Sequence, residues 1–248
     1  MIDIDLPTDL NAPQHQAVTA TDKAIMVLAG AGSGKTRVLT RRLARLLHQG
    51  EAGPGEILAV TFTNKAAQEM RERVTELLQL DEATARRLWI GTFHGMGARI
   101  LRTHADKIGF DANFVILDSA DQQRVIKRLT EQTDFVDAYW TPKRLANTIS
   151  RWKDDGLGPD DLEETKQLKF SRDRKRVADF YAAYQDELLR INTMDFGDLL
   201  ANCLKLWSRA PDILTEYQHR FRHILVDEYQ DANKVQYDWM RLLAFGGG

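Results

Sequence analysis

Along this chain, apolar positions alternate between two kinds of pattern. Residues 24–29 (AIMVLA) are a short unbroken apolar run that breaks into glycines, which is how a buried parallel strand entering a turn reads. Beyond the turn, Val38, Leu39, Leu43, Leu46 and Leu47 recur at helical spacing with Arg41, Arg42 and Arg45 between them, until Gly50 closes the segment. A second apolar strand, 57–62, follows the Gly53-Pro54-Gly55 turn and leads into a helix over about 65–80; a third, 88–91, leads into a helix over 96–104. Strands alternating with helices predict an α/β fold built on a parallel sheet.

From about residue 110 the pattern changes. Apart from 114–117, the stretch to about 192 reads as helices punctuated by Pro142 and the Gly156-Leu157-Gly158-Pro159 turn. Residues 224–226 then form another apolar strand ending in Asp227 and Glu228. The expected organisation is therefore a discontinuous α/β domain, 1–109 and 194–248, interrupted by a helical insertion over 110–193. Val177, Phe180, Tyr181, Tyr184 and Leu188 form an aromatic-rich stripe at helical spacing and are expected in the core of that insertion.

Composition narrows the class. The chain of 248 residues is 43% hydrophobic and 28% charged, with a net charge of −2, so disorder and a bulk basic field are both excluded. A single cysteine, Cys203, allows no internal disulfide and no cysteine-rich metal site, and a reducing cytosol fits best. The first residues, Met1-Ile2-Asp3-Ile4-Asp5, lack the order of a secretory signal, and no run approaches the ~18 apolar residues of a membrane span. The expectation is a cytoplasmic protein without a membrane partner.

Chemistry concentrates at two places. Residues 29–36 read Ala29-Gly30-Ala31-Gly32-Ser33-Gly34-Lys35-Thr36, the phosphate-loop pattern with Ala in place of the first glycine. Glycines are needed because successive backbone N–H groups must wrap a phosphate at a helix N-terminus, where orphan donors and the dipole favour an anion. Lys35 would reach the β and γ phosphates of a nucleotide, and the Thr36 hydroxyl would ligate Mg²⁺. The second place is Ile224-Leu225-Val226-Asp227-Glu228, a strand that delivers two carboxylates to its C-terminal edge. There Asp227 would hold the Mg²⁺ shell, Glu228 would orient and deprotonate the attacking water, and Gln230 would sense the γ-phosphate. Alone, such an acidic pair is as well read as a solvated strand end; the phosphate loop changes that reading.

Asp227-Glu228-Tyr229-Gln230-Asp231 resembles the DExQD motif of superfamily 1 DNA helicases, and further segments resemble the UvrD/Rep/PcrA group of that superfamily. Leu10 to Val18 (LNAPQHQAV) is similar to the group's glutamine motif, which implies that Gln14 reads the adenine edge; by itself Gln14 reads as a surface residue before a loop. Arg37 matches an arginine that lies against the base in this group. Thr61 to Ala67 (TFTNKAA) resembles motif Ia and Ile90 to His94 (IGTFH) motif Ib, implying a single-stranded DNA path that includes Phe62, Thr63, Asn64, Lys65, Thr92, Phe93 and His94. Read alone, Thr63 and Asn64 are also helix caps and Phe62 also core. Asp195 to Leu200 (DFGDLL) resembles the stretch where the group's chain returns from helical subdomain 1B to core 1A.

The resemblance implies a RecA-like phosphate-loop NTPase core with an all-helical insertion, binding ATP and Mg²⁺ and moving 3′ to 5′ on single-stranded DNA and at single-strand/double-strand junctions. Repair or replication proteins are the implied partners. The sequence stops at Phe245-Gly246-Gly247-Gly248, where the group continues into its third motif and second motor domain, so residues 1–248 are expected to be a monomeric fragment that does not unwind DNA alone. Two other readings share some motifs: the motor part of a RecB- or AddA-like helicase–nuclease, and a non-catalytic nucleotide- or DNA-binding module. His219 and His223 at i, i+4 could share a helix face but have no evident third ligand. Lys166, Lys169, Arg172, Arg174, Lys175 and Arg176 form a basic run, read either as a solvated face or as a backbone contact; Asp154, Asp155, Asp160, Asp161, Glu163 and Glu164 are expected as loop and cap residues.

Overall fold

The computed structural model describes residues 10–22, 24–30, 32–133, 135, 139–162 and 171–244, with side chains from 175 in the last segment. In chain order the elements are α1 (Ala12–Thr19), α2 (Lys35–His48), β1 (Ile57–Thr61), α3 (Asn64–Leu78), α4 (Glu82–Arg87), β2 (Trp89–Thr92), α5 (Phe93–His104) and β3 (Val115–Ile116). They continue as α6 (Ser119–Gln132), α7 (Pro142–Asp154), α8 (Ser171–Arg190), β4 (Thr193–Met194), α9 (Asp198–Arg209), α10 (Pro211–Arg220), β5 (His223–Val226) and α11 (Lys234–Ala244). The chain divides into two compact units, one from 1–96, 215–231 and 243–248, the other from 97–214 and 232–242.

The first unit holds a three-stranded sheet of order β2-β1-β5. Both pairings are parallel, with Ala59 opposite Ile90 on one side and Leu225 on the other. Every residue of β1 is buried, as a central parallel strand covered on both faces requires. On one face Leu43 and Leu46 of α2 and Met70 and Val74 of α3 pack against Ile57, Ala59 and Ile90. Elsewhere in the unit, Trp89 meets Tyr217 and Phe221 edge-on at 6.0 and 5.1 Å between ring centroids. Arg71 of α3 ties the elements together by donating to the backbone carbonyls of Ala85, Leu88 and Ile90.

The apolar run 24–29 departs from expectation. Residues 25–30 carry no regular structure, and Met26 and Leu28 are 71% and 87% exposed. A strand exists only through a ladder partner, and among the described residues none pairs with this run. β5 correspondingly lies at the sheet's edge with all four residues only half-buried. The other strands appear within a residue or two of the expected positions, and the helix after β2 begins at Phe93 rather than Met96.

The second unit is mainly helical, with a short parallel pair in which Val115 lies opposite Thr193 and Ile116 opposite Met194. Its core contains the expected stripe, Val177, Phe180, Tyr181, Tyr184 and Leu188, all buried, together with Ile126, Leu145, Ile149 and Trp152. A buried ionic cluster lies in this unit. The Lys153 ammonium, 1% exposed, stands 2.6 Å from Asp195 Oδ2 and 2.7 Å from Asp198 Oδ1. Gln122 Nε2 and the Tyr184 hydroxyl each donate to Asp195 Oδ2 at 3.0 Å, and Gln185 Nε2 donates to Asp198 Oδ1 at 3.0 Å. Asp195 and Asp198 also accept from each other's backbone N–H. Gly197 lies against the Lys153 stem, where an added Cβ would fall 2.9 Å from Lys153 Cδ. The DFGDLL stretch is thus a turn built around one lysine of α7. Phe196, between the two aspartates, is 59% exposed.

Among the described residues no helix is long and apolar enough to cross a membrane. Cys203 is buried in α9, and burial pushes its thiol up to about 12. Of the basic run, Lys175 and Arg176 are exposed, with Arg176 lying over the Phe135 ring at 4.4 Å. Lys166 and Lys169 lie outside the described residues, as do Glu163 and Glu164. His219 and His223 do not share a helix face, because α10 ends at Arg220 and His223 opens β5.

Candidate nucleotide and single-strand sites

Because β1, β2 and β5 are parallel, their C-terminal ends open onto one edge, with Thr61 beside Thr92 and Val60 beside Val226. The residues that follow each strand, 62–65, 93–94 and 227–230, therefore emerge on the same side of the sheet. In open parallel sheets this is the edge at which ligands bind.

The phosphate loop reaches α2 through Gly32 and Gly34, at φ of 75° and 88°. These are left-handed conformations that a β-carbon disfavours. At Gly34 an added Cβ would also lie 2.9 Å from Gln14 Nε2. Gly34 is the N-cap of α2 and provides no side-chain cap to the first turn, the end of a helix that favours an anion. Ser33 folds onto the loop, its hydroxyl donating to the Gly30 carbonyl at 2.7 Å. Ala31 lies outside the described residues; Ala29 and Gly30 are exposed.

Lys35, Thr36, Asp227, Glu228 and Gln230 come together here. Lys35 Nζ donates to the Ala29 carbonyl at 3.1 Å and lies 3.7 Å from Glu228 Oε1. The Thr36 hydroxyl donates to Asp227 Oδ2 at 3.3 Å, joining positions 191 residues apart. Asp227 is buried; burial pushes its carboxyl above the usual range, opposed by the bond from Thr36. Its second oxygen, Oδ1, is buried and accepts no hydrogen bond among the described residues. Glu228 sits at φ 49°, the left-handed region that a bulky L residue rarely occupies, and Gln230 Nε2 donates to its Oε2. The strain falls on the residue that turns the chain out of β5.

Gln14 lies in α1 and spans two roles. Its backbone N–H donates to Asn11 Oδ1 at 3.0 Å and its Oε1 accepts from Asn11 N at 3.1 Å, a capping box, while Nε2 donates to the Ser33 carbonyl at 3.0 Å. Arg37 is exposed on α2 and lines, with Thr40, Arg41, Arg73, Glu76 and Leu77, a cavity of about 420 Å³.

At the other strand ends, Thr63 caps α3 by accepting from Ala66 N at 3.1 Å, and Thr92 accepts from Gly95 N at 3.1 Å. Asn64 and Lys65 are exposed. Phe62 is half-buried, and Phe93 meets it edge-on at 5.4 Å. Phe93 itself is only 1% exposed, so its ring supports Phe62 from behind and is not presented to a ligand. The helix begins at Phe93, and the ring lies in the core. Burial lowers the His94 imidazole to about 4, which leaves it neutral at physiological pH.

The family described as UvrD/REP helicase N-terminal domain matches residues 10–248. The chain belongs to the UvrD/REP helicase family. Among the relatives of this UvrD/REP chain, DNA helicase II of Haemophilus influenzae is 44% identical over 246 residues, 98% of this chain and 33% of the relative. The ATP-dependent DNA helicase PcrA of Bacillus subtilis is 43% identical over 239 residues, 96% of this chain and 32% of the relative. The PcrA of Staphylococcus aureus strain Mu50 is 43% identical over 235 residues, 95% and 31% respectively. The chain thus spans about a third of the length of these relatives.

Two features of this UvrD/REP chain escaped sequence reading. The buried partner of the DFGDLL turn, Lys153, lies 42 residues upstream of Asp195 and carries no local signal. Arg42 and Arg45 of α2, which donate to the carbonyls at the end of α1, read only as the polar face of an amphipathic helix.

Proposed function

We propose that this chain is the nucleotide-binding and single-strand-binding part of an ATP-dependent DNA helicase that moves 3′ to 5′ on single-stranded DNA. The observation that carries this reading is the meeting of the phosphate loop and the β5 carboxylates: Thr36 on Asp227 at 3.3 Å and Lys35 beside Glu228 at 3.7 Å. In this reading residues 1–109 and 194–248 form a RecA-like motor core and 110–193 its helical insertion.

The Gly32 to Lys35 backbone and the N-terminus of α2 receive the phosphates, and Lys35 offsets their negative charge. A hard divalent cation suits the oxygen pair of Thr36 and Asp227, since the buried Asp227 Oδ1 is without a hydrogen-bond donor among the described residues. When bound, Mg²⁺ there supplies Lewis acidity toward the phosphate oxygens. Glu228 accepts a proton from the attacking water while Gln230 and Lys35 hold its carboxylate in place. Gln14 and Arg37 face the base, Gln14 through its amide and Arg37 through its planar guanidinium.

On the single-strand side, Phe62 stacks on a base without regard to its identity, while Thr63, Asn64, Lys65 and Thr92 hold phosphates. Neutral His94 contributes a hydrogen bond and no charge, and Phe93 backs Phe62. Single-strand/double-strand junctions and repair or replication proteins are the expected partners, with the cytoplasm as the place of action. The test is strand displacement by the complete protein on duplexes with a 3′ or a 5′ single-stranded tail: ATP-dependent displacement from the 3′ tail supports the reading, and displacement from the 5′ tail alone contradicts it.

A further inference from the structure

An eight-residue helix does not hold itself together in water, and α1 buries only one residue, Val18. What fixes it is a pair of arginines from α2. Arg42 Nη1 donates to the carbonyls of Ala17, Val18 and Ala20 at 3.1, 3.3 and 2.7 Å, and Arg45 Nε donates to Val18 at 3.1 Å. These are the last carbonyls of α1, which lack partners within the helix and form the negative end of its dipole. Arg45 is itself steadied by Glu51 at 2.8 Å. At the opposite end of α1, Gln14 is fixed by Asn11 on one amide atom and by the Ser33 carbonyl on the other. So α1 is strung between the phosphate loop and a point on α2 eight residues past Gly34, about 12 Å along the axis at 1.5 Å per residue. The same rigid helix that begins at the phosphate loop therefore sets where the Gln14 amide stands.

We propose that Arg42, assisted by Arg45, is a positioning residue that holds the Gln14 amide at the nucleotide base and thereby sets discrimination between purine nucleotides. The proposal rests on the reading of Gln14 as the base contact. An adenine edge presents a donor beside an acceptor, which an amide held in one orientation matches; guanine carries an acceptor, O6, where adenine carries the N6 donor. Without Arg42 the three carbonyls lose their donor, α1 loosens, and the amide is no longer held in register with the loop.

The experiment measures single-strand-stimulated hydrolysis of ATP and of GTP by the complete protein and by Gln14→Ala, Arg42→Gln, Arg42→Lys and Gln14→Ala/Arg42→Gln. Gln14→Ala is expected to raise KM for ATP about tenfold, the worth of one base-edge contact, with little change for GTP. Arg42→Gln is expected to reproduce that loss of ATP preference with kcat within about twofold, and the double variant to be no worse than Gln14→Ala, because the two changes remove one interaction. Arg42→Lys, whose ammonium cannot fork across the carbonyls, gives an intermediate KM and serves should Arg42→Gln not fold. A normal ATP preference in both Arg42 variants overturns the positioning role. So does an equal fall of kcat for both nucleotides, the mark of general destabilisation. An unchanged preference in Gln14→Ala overturns the underlying base-contact reading instead.

Discussion

Replacing Lys153 by Met tests the buried cluster of the helical unit. The change keeps most of the stem volume and removes the cation that lies within 2.7 Å of two carboxylates, 3% and 2% exposed. Removing one partner of a buried ion pair costs about 3–5 kcal/mol, because it strands the other charge. The lower end applies here, since the donors from Gln122, Tyr184 and Gln185 remain. For a unit of this size, a loss of about 3 kcal/mol lowers Tm by roughly 10 °C. Acidity separates this mechanism from lost packing. Burial alone would raise Asp195, but the Lys153 ammonium and its hydrogen bond hold it below the usual carboxylate range. Its contribution is therefore present at neutral pH and fades as pH falls through its folded value. Asp198 runs the other way: burial and the neighbouring Asp195 raise it, so its charge weighs against folding increasingly as pH rises through its folded value. Without Lys153 both carboxyls follow the second pattern, and the penalty shrinks as pH falls and they take up protons. Denaturant unfolding followed by tryptophan fluorescence reads this unit well, since Trp140, Trp152, Trp207 and Trp239 lie in it and only Trp89 lies elsewhere. A loss below about 1 kcal/mol, or one independent of pH, refutes the reasoning.

Further outcomes follow from the first unit. Glu228→Gly relieves a left-handed residue and is expected to raise stability by about 1 kcal/mol in thermal unfolding while ATP turnover collapses; a destabilised variant would show that φ 49° is not strained there. Phe62→Ala is expected to weaken single-strand binding by about 1–3 kcal/mol, equally on homopolymer and mixed sequences, in fluorescence anisotropy. A loss confined to one sequence would contradict a stacking role. Because His94 is lowered to about 4, it gains charge only below that value, so DNA affinity is expected to show no His94-dependent step between about pH 5.5 and 8. A step near pH 6.5 that His94→Gln abolishes would show the imidazole to be less buried than it is here.

Local pattern carried much of the first unit. The apolar run of β1 and the helical spacing of α2 each depend on residues close in sequence, and both elements stand where periodicity places them. The Thr36 to Asp227 bond was legible in a different way, as two motifs whose chemistry makes sense only together. What failed was context. Residues 24–29 have the composition of a buried strand, yet strand formation depends on a ladder partner that composition does not supply. Phe93 reads as an aromatic on a ligand-binding edge, but its helix starts one residue past β2 and turns the ring inward. Lys153 and Arg42 were illegible for a third reason. A lone cation between apolar helical positions has the same pattern whether it faces water, a buried aspartate pair or the open carbonyls of another helix.

The central claim, that the phosphate loop and the β5 carboxylates form one hydrolytic site driven by single-stranded DNA, is tested most directly by ATP turnover in the complete protein with and without a single strand. The account predicts turnover that rises with DNA and falls by about 10²–10³ in Lys35→Ala, since the charge opposite the transferring phosphoryl group is lost. Turnover that is indifferent to DNA, or that survives Lys35→Ala unchanged, would contradict it.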